Sequence, residues 1–240
     1  MEASEHRIEA GRVISEAFET YQSHAGPLLG GALIVIGIAG VINGILVVTG
    51  SLILALVGAL IGLAAGFLYT GYVVKLVQDV RDGRRDNSVG ELLSAATPYV
   101  GTLILNGILA GIAITIGFVL IIVPGLILLT IWAVIAPSIV VEDQSVFGAF
   151  GRSRELVRGN GWSVFFAIVL AFLIVFVVSL IAGVIGASIG DAGRVILQTI
   201  ANVLTAPVAA LVSSILFFDL GGGGVIATPA APTDPAPPPA

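Results

Sequence analysis

Carboxylates and arginines crowd one short stretch, DVRDGRRDNSVGE at 79–91, where Asp79, Asp82, Asp86 and Glu91 stand among Arg81, Arg84 and Arg85. Acids this close together can hold a divalent cation, but the D-x-D-x-D-G order of a calcium loop is absent. A solvated mixed-charge loop, with the acids balancing the arginines, is the simpler reading. Other chemistries fail on residue type. Cysteine is absent, which excludes disulfides, thiolate nucleophiles and Cys-ligated metals. His6 and His24 are the only histidines, and neither has a Glu or Cys at metal-ligand spacing. There is no Gly-rich phosphate loop, and no serine has a recognisable His and Asp partner set. No enzyme activity, cofactor, metal or nucleic-acid partner is expected. A second charged group is more promising: Glu142 and Asp143 are followed by Arg152, Arg154 and Arg158. A Glu142–arginine pair would anchor the intervening segment, and the three arginines also make a candidate lipid-headgroup patch.

The elements that must carry these residues are written in the charge pattern. Hydrophobic residues make up 57% of the chain and charged ones 10%, against about 25% charged in soluble domains. Mean hydropathy is +1.10. A soluble fold of this composition would leave large apolar areas in water. Nine of the ten Lys and Arg residues fall in three patches: Arg7 and Arg12; Lys75, Arg81, Arg84 and Arg85; and Arg152, Arg154 and Arg158. The two intervening gaps, 20–74 and 92–141, contain no Asp, Glu, Lys or Arg. Each gap accommodates two bilayer crossings of roughly 20 residues. The pattern predicts an all-α membrane protein with six spans, at about 28–48, 52–74, 100–122, 125–141, 162–187 and 195–218. Turns are expected at Thr49-Gly50-Ser51 and Pro124-Gly125. All three patches fall on one side, leaving only Arg194 opposite. The positive-inside rule then places both termini in the cytoplasm and makes this a multi-pass protein of the cytoplasmic membrane. The acidic, amphipathic start has no apolar core with a cleavage site, so no cleavable leader is expected. Residues 221–240, rich in Gly, Pro and Ala, predict a disordered tail.

Each patch introduces a short amphipathic segment (13–29, 88–104 and 145–165) that leads into a helical hairpin, which suggests a threefold repeat. In the third segment Val146, Ala149, Phe150, Ser153 and Val157 share one face, with Gly151, Arg154, Glu155 and Arg158 on the other. This predicts a helix lying in the interface, apolar side in lipid, with packing against the bundle as the alternative. Within the spans, Gly58, Gly62 and Gly66, together with Gly40/Gly44 and Gly107/Gly111, form small-residue steps that let helices approach closely. Packing within one chain is the first reading of these steps, and self-association the second. Pro137 and Pro207 should kink or loosen spans four and six. Asn43, Asn106 and Asn202 are expected to hydrogen-bond between helices.

Two resemblances bear on function. Asp79-x-x-Asp82-Gly83 is similar to the start of the metal motif of CDP-alcohol phosphotransferases, but that motif continues with Ala-Arg where this chain has Asp86-Asn87. It then needs two aspartates where this chain has Ser94 and Pro98. The stretch SIVVEDQSVFGAFGRSRELVRGNGWSVF resembles the membrane domain of glycerophosphoryl diester phosphodiesterases. The matching residues are Glu142, Ala149, Arg152, Ser153, Leu156, Val157, Gly159 and Trp162. Val123-Pro124-Gly125, SEAFETYQSHAGPLL and LTAPVAALVSSILFFDL also look like that family. In fused members hydrolysis belongs to a separate soluble barrel, so the resemblance implies a free-standing membrane module. The expected function is a lipid-associated or partner-anchoring module, with membrane lipids and proteins at the cytoplasmic face as partners. A transporter or flippase of a small or lipid-like substrate is the alternative, and an enzyme on lipid phosphodiesters ranks third.

Overall fold

In a computed structural model, which describes residues 8–83 and 88–224, the chain is helical with no strand among the described residues. Arg7, Arg84, Arg85, Asp86, His6 and the tail from 225 onward lie outside the described residues. The helices are α1 (Ala10–Ser23), α2 (Ala25–Ala32), α3 (Ile38–Val48), α4 (Leu52–Arg81), α5 (Val89–Ala96), α6 (Val100–Leu120), α7 (Ile122–Ile131), α8 (Ile135–Glu142), α9 (Val146–Val157), α10 (Gly161–Ile189) and α11 (Asp191–Asp219). A π-helical turn, Leu33–Gly37, joins α2 to α3. Six runs are long and apolar enough to cross a membrane: Ala25–Val48, Leu52–Arg81, Val89–Leu120, Ile122–Glu142, Gly161–Ile189 and Asp191–Asp219.

Local chemistry explains most boundaries. Gly50 (φ 71°) and Gly190 (φ 99°) supply left-handed backbone at two turns. Ser88 and Glu91 form a reciprocal capping box at the start of α5, which satisfies two orphan N–H groups. Glu91 is therefore used in a cap. The turn between α6 and α7 is a single extended residue, Ile121 (φ −159°), three residues before the expected Pro124-Gly125. Pro124 instead lies in the first turn of α7, where its missing N–H costs no hydrogen bond. Gly117 lets α6 approach α7: a Cβ there would stand 2.9 Å from the Gly125 nitrogen.

The long helices pack most extensively in sequence-adjacent pairs, α3 on α4, α6 on α7 and α10 on α11. Burial divides the molecule across these pairs. At one end, here called the base, Tyr69, Tyr72 and Val73 of α4 pack with Leu211, Ile215 and Phe217 of α11 and with residues of α1, α2 and α9. The Tyr69 hydroxyl donates to the Leu28 carbonyl at 2.9 Å, and that of Tyr72 to the Pro27 carbonyl at 2.7 Å. Towards the turns at 49–51, 121 and 190 the large side chains face outward, among them Val48, Leu52, Val119, Ile122 and Ile189. An apolar belt of this kind has lipid as its matching solvent. The 33–48 stretch alone rises roughly 24 Å. The last turns of α4 and the second half of α11 leave the belt and are enclosed by the base.

Candidate functional site

The base carries two charged constellations and one repaired helix break. In the first constellation, α1, α4 and α11 meet in a closed ring. Arg12 bonds Glu16 (3.1 Å) and Asp219 (2.7 Å), while Arg81 bonds the same two carboxylates (2.8 and 3.1 Å). The Asp219 side chain is only 10% exposed, and the Arg81 guanidinium lies 5.0 Å from the Phe218 ring centre. The Asp219 hydrogen bond raises the Arg12 pKa above its ordinary value, so the guanidinium stays charged. Members of the first two basic patches are thus occupied in holding the fold. The isolated Asp219, at the end of a long uncharged run, was the sequence signal for this partnership.

In the second constellation Arg152 grips Glu142 with two parallel bonds, Nε to Oε2 at 2.7 Å and a terminal nitrogen to Oε1 at 2.8 Å. This fork geometry is the strong form of the arginine–carboxylate pair. The Gly223 N–H donates to the same Glu142 Oε1 at 2.9 Å. One carboxylate therefore ties together α8, α9 and the segment after α11. The Glu142 bond raises the Arg152 pKa. Asp143 ends α8 in left-handed backbone (φ 53°).

The α9 helix turns its apolar face inward. Ala149, Ser153, Leu156 and Val157 are buried, so that face packs on the bundle, and the expectation that it lies in lipid is corrected. Of the predicted face, Ala149, Ser153 and Val157 occupied positions suited to either environment; the deciding contacts are with residues distant in sequence. The outward stripe of α9 carries Phe147, Gly151, Arg154 and Arg158. Arg154 and Arg158 are exposed, with no ion-pair partner among the described residues. Phe147 is 79% and the nearby Trp162 77% exposed.

Span four is broken at residues 132–134, between α7 and α8. The break starts α8 at Ile135, which puts Pro137 in a first turn where proline is tolerated. The freed backbone groups find side chains. Ser153 donates to the Ile131 carbonyl (2.9 Å) and accepts from the Val134 N–H (3.3 Å). Ser213 of α11 donates to the Ala133 carbonyl (2.7 Å), the group that Pro137 would have bonded had it an N–H. Pro207 is carried inside the continuous α11; the Tyr21 hydroxyl donates to the Leu204 carbonyl (3.1 Å), one residue past the Val203 carbonyl that the proline leaves without its N–H. Ser213 and Tyr21 were not singled out from the sequence, because a lone hydroxyl reveals nothing of a carbonyl far along the chain; Ser153 was named for its face and not for this contact.

The other expected residues separate. A Cβ on Gly107 would run into the Phe67 ring, on Gly40 it would stand 2.8 Å from Thr199, and on Gly44 2.6 Å from Val195. Gly58 abuts Asn43. Gly62, Gly66 and Gly111 face open space, so the stripe is only partly used within the chain. Asn106 donates to the Val146 carbonyl at 2.7 Å, joining α6 to α9. Asn202 accepts from Gln198 of its own helix. His24 sits between α1 and α2 beside the Ser23 hydroxyl. No group of three or more His, Cys, Asp or Glu is placed to hold a metal among the described residues.

A family model described as an uncharacterised protein family, UPF0259, matches residues 35–211. The chain belongs to that family. A UPF0259 membrane protein of Pectobacterium carotovorum subsp. carotovorum (strain PC1) is 31% identical over 150 residues. The match covers 62% of this chain and 59% of the relative, so the chain spans less than two thirds of that curated relative's length. No solved structure matches the chain. UPF0259 membership overturns the expected kinship with glycerophosphoryl diester phosphodiesterase membrane domains. The residues behind that resemblance are largely structural here: Glu142 and Arg152 form the fork, Ser153 caps the break, and Ala149, Leu156 and Val157 are buried. A short motif of packing residues carries little information about ancestry. What stands is a UPF0259 membrane protein with six candidate spans.

Proposed function

We propose that this UPF0259 protein is a non-enzymatic membrane module whose base rests on the cytoplasmic leaflet and engages anionic lipid headgroups through the outer stripe of α9. The observation that carries this reading is the exposure of Arg154 and Arg158 between two exposed aromatics, Phe147 and Trp162. Aromatic side chains favour the membrane–water boundary, and each arginine near an anionic surface contributes about 1 kcal/mol. Arg152, bound by Glu142, serves as the anchor of that stripe. The base as the cytoplasmic side accords with Arg12, Lys75, Arg81, Arg152, Arg154 and Arg158 all lying there, with Arg194 near the opposite turn. The threefold organisation belongs to the same reading, with α1, α5 and α9 each preceding a pair of long helices.

The test is stabilisation in detergent by added phosphatidylglycerol against phosphatidylcholine. The anionic lipid should raise the melting temperature more, and the R154Q/R158Q protein should respond equally to both. Equal responses in the unmodified protein would remove the headgroup role. A second reading, movement of a lipid-like substrate, is favoured by the broken span four, since discontinuous helices line transport paths in other membrane folds. Liposomes containing labelled lipid separate the two: accelerated exchange between leaflets supports movement, and its absence favours the static module.

A further inference from the structure

The first half of α11 has two unlike faces. Ile196, Ile200 and Leu204 are large and exposed, which makes them its lipid-facing stripe. At about 100° per residue, Gln198, Asn202 and Ala209 fall within about 40° of one another, on the side opposite Ile200. That side turns into the bundle. It is flanked by α3, where Gly40 and Gly44 abut Thr199 and Val195, and by α10, where Gly186 abuts Arg194. Yet Asn202 and Ala209 are exposed there and Gln198 is half-buried. A cleft therefore runs along the inward face of α11. Its deeper end is a cavity of about 370 Å³ between the α6–α7 and α10–α11 pairs, lined by Ala209 and Ser213 and floored by Trp132 and Ala133 of the broken span. The Ser213 proton is committed to the Ala133 carbonyl, and the walls are otherwise aliphatic and aromatic. The volume falls in the range of about 300–1,000 Å³ used for small ligands.

Asn202 lies about 10 Å along the helix from Ala209, on the side of the Gly190 turn. At this depth Ile200 faces lipid, and hydrocarbon offers an amide no partner. Gln198 donates to the Asn202 Oδ1 at 3.3 Å. That leaves the Gln198 Oε1 and the Asn202 Nδ2 without a hydrogen bond among the described residues. One acceptor and one donor thus stand side by side on the inward face. A single hydroxyl matches both, donating to Oε1 and accepting from Nδ2. An ionic head would find no counter-charge: no Asp, Glu, Lys or Arg occurs from Val195 to Phe218, and none lines the cavity.

We propose that the inward face of α11 binds a neutral amphiphile, a hydroxyl-headed hydrocarbon chain, with its hydroxyl on Gln198 and Asn202 and its chain in the cavity floored by Trp132 and Ala133. The amide pair beside an apolar cavity selects this occupant over water, which would fill the polar end alone, and over a second copy, which cannot reach a face turned away from lipid. The site is separate from the α9 stripe and stands or falls independently of it.

The test uses the full chain in nanodiscs and three probes that share one photoactivatable chain: a long-chain alcohol, its methyl ether and the corresponding carboxylate. A phosphatidylglycerol carrying the same chain is the fourth. The alcohol should label cavity residues such as Ala209 and Leu129 severalfold over Ile200 on the lipid face. The ether, which cannot donate, should label the cavity roughly three- to tenfold less, the size of side-chain hydrogen bonds in membrane bundles, and Q198L/N202L should lower alcohol labelling by the same factor. Ala209 is exposed within the lining, so A209W should abolish the cavity adducts, and A209L should reduce them should the tryptophan variant misfold. The comparison of alcohol with ether in the unmodified protein needs no substitution. Adducts shared evenly between Ala209 and Ile200, equal labelling by alcohol and ether, stronger labelling by the carboxylate or the phospholipid, or adducts indifferent to Q198L/N202L or to filling at Ala209 overturn the site.

Discussion

Ser213 offers a sharp test of how the broken span is held. Its hydroxyl lies 2.7 Å from the Ala133 carbonyl, four residues before Pro137, which has no N–H to give. Replacing Ser213 by alanine leaves that carbonyl without a donor. Side-chain hydrogen bonds in membrane bundles average about 0.6 kcal/mol and reach about 1.7, whereas a buried group left unsatisfied costs about 1–3 kcal/mol. Because Ser213 lines an apolar cleft, water is a poor substitute, and S213A should cost about 1.5 kcal/mol, roughly tenfold in the folded-to-unfolded ratio. Ser214 is the internal control. It also donates at 2.7 Å, but to the Ala210 carbonyl in its own helix, which has a backbone donor, so S214A should cost under about 0.5 kcal/mol. In a P137A background, residue 137 regains an N–H for Ala133. There the S213A cost should fall to about 0.5 kcal/mol, a coupling of about 1 kcal/mol for neighbouring sites. The assay is reversible unfolding in mixed micelles, followed by the fluorescence of Trp132 and Trp162. Equal costs for S213A and S214A, or an S213A cost unchanged by P137A, would refute the account of Ala133 as an orphan made by proline.

Other outcomes follow from the same contacts. D219N, which leaves Arg12 and Arg81 facing one carboxylate, should destabilise by about 2 kcal/mol, between the surface and buried limits. R12Q, at a half-exposed position, should cost under about 1 kcal/mol in the same unfolding assay. G107A should cost about 1–3 kcal/mol because its methyl meets the Phe67 ring, while G62A and G66A, which meet nothing, should be neutral within about 0.5 kcal/mol; a large loss in either would point to packing against a second chain, checked by light scattering. Reporter fusions at Gly50 and Gly190 should behave as external and one at Gly83 as internal; the reverse pattern would invert the proposed orientation.

The six spans were legible because bilayer thickness imposes a length on every crossing, and 20–74 and 92–141 could satisfy it only as helices. The Glu142–arginine pair was legible because its members sit ten residues apart on adjoining short elements. The base core was not. Tyr72 reads as an ordinary aromatic at the end of a span until its hydroxyl is seen on the Pro27 carbonyl, and Val13 or Leu28 could as well have faced lipid. The amphipathic pattern of α9 was read correctly as a pattern and assigned to the wrong medium, since periodicity identifies an apolar face without saying what covers it. Pro137 announced a disturbance in span four, but its location and repair depended on Ser153 and Ser213, 22 residues from Ile131 and 80 from Ala133.

The ring of Arg12, Glu16, Arg81 and Asp219 also imposes an order on biosynthesis. Arg12 and Asp219 are separated by 207 positions, so the carboxylate that completes the ring emerges only after all six candidate spans have been synthesised. Until then Arg12 and Arg81 share the single carboxylate of Glu16, and the face of α4 that α11 covers stands open. The helical pairs can enter the bilayer as they are made, each satisfying its own backbone, but the base must wait for the last helix to close it. Quality control at the membrane would therefore see an unfinished molecule as one with unneutralised arginines and an uncovered Tyr69–Tyr72 surface, and a finished one as a sealed base.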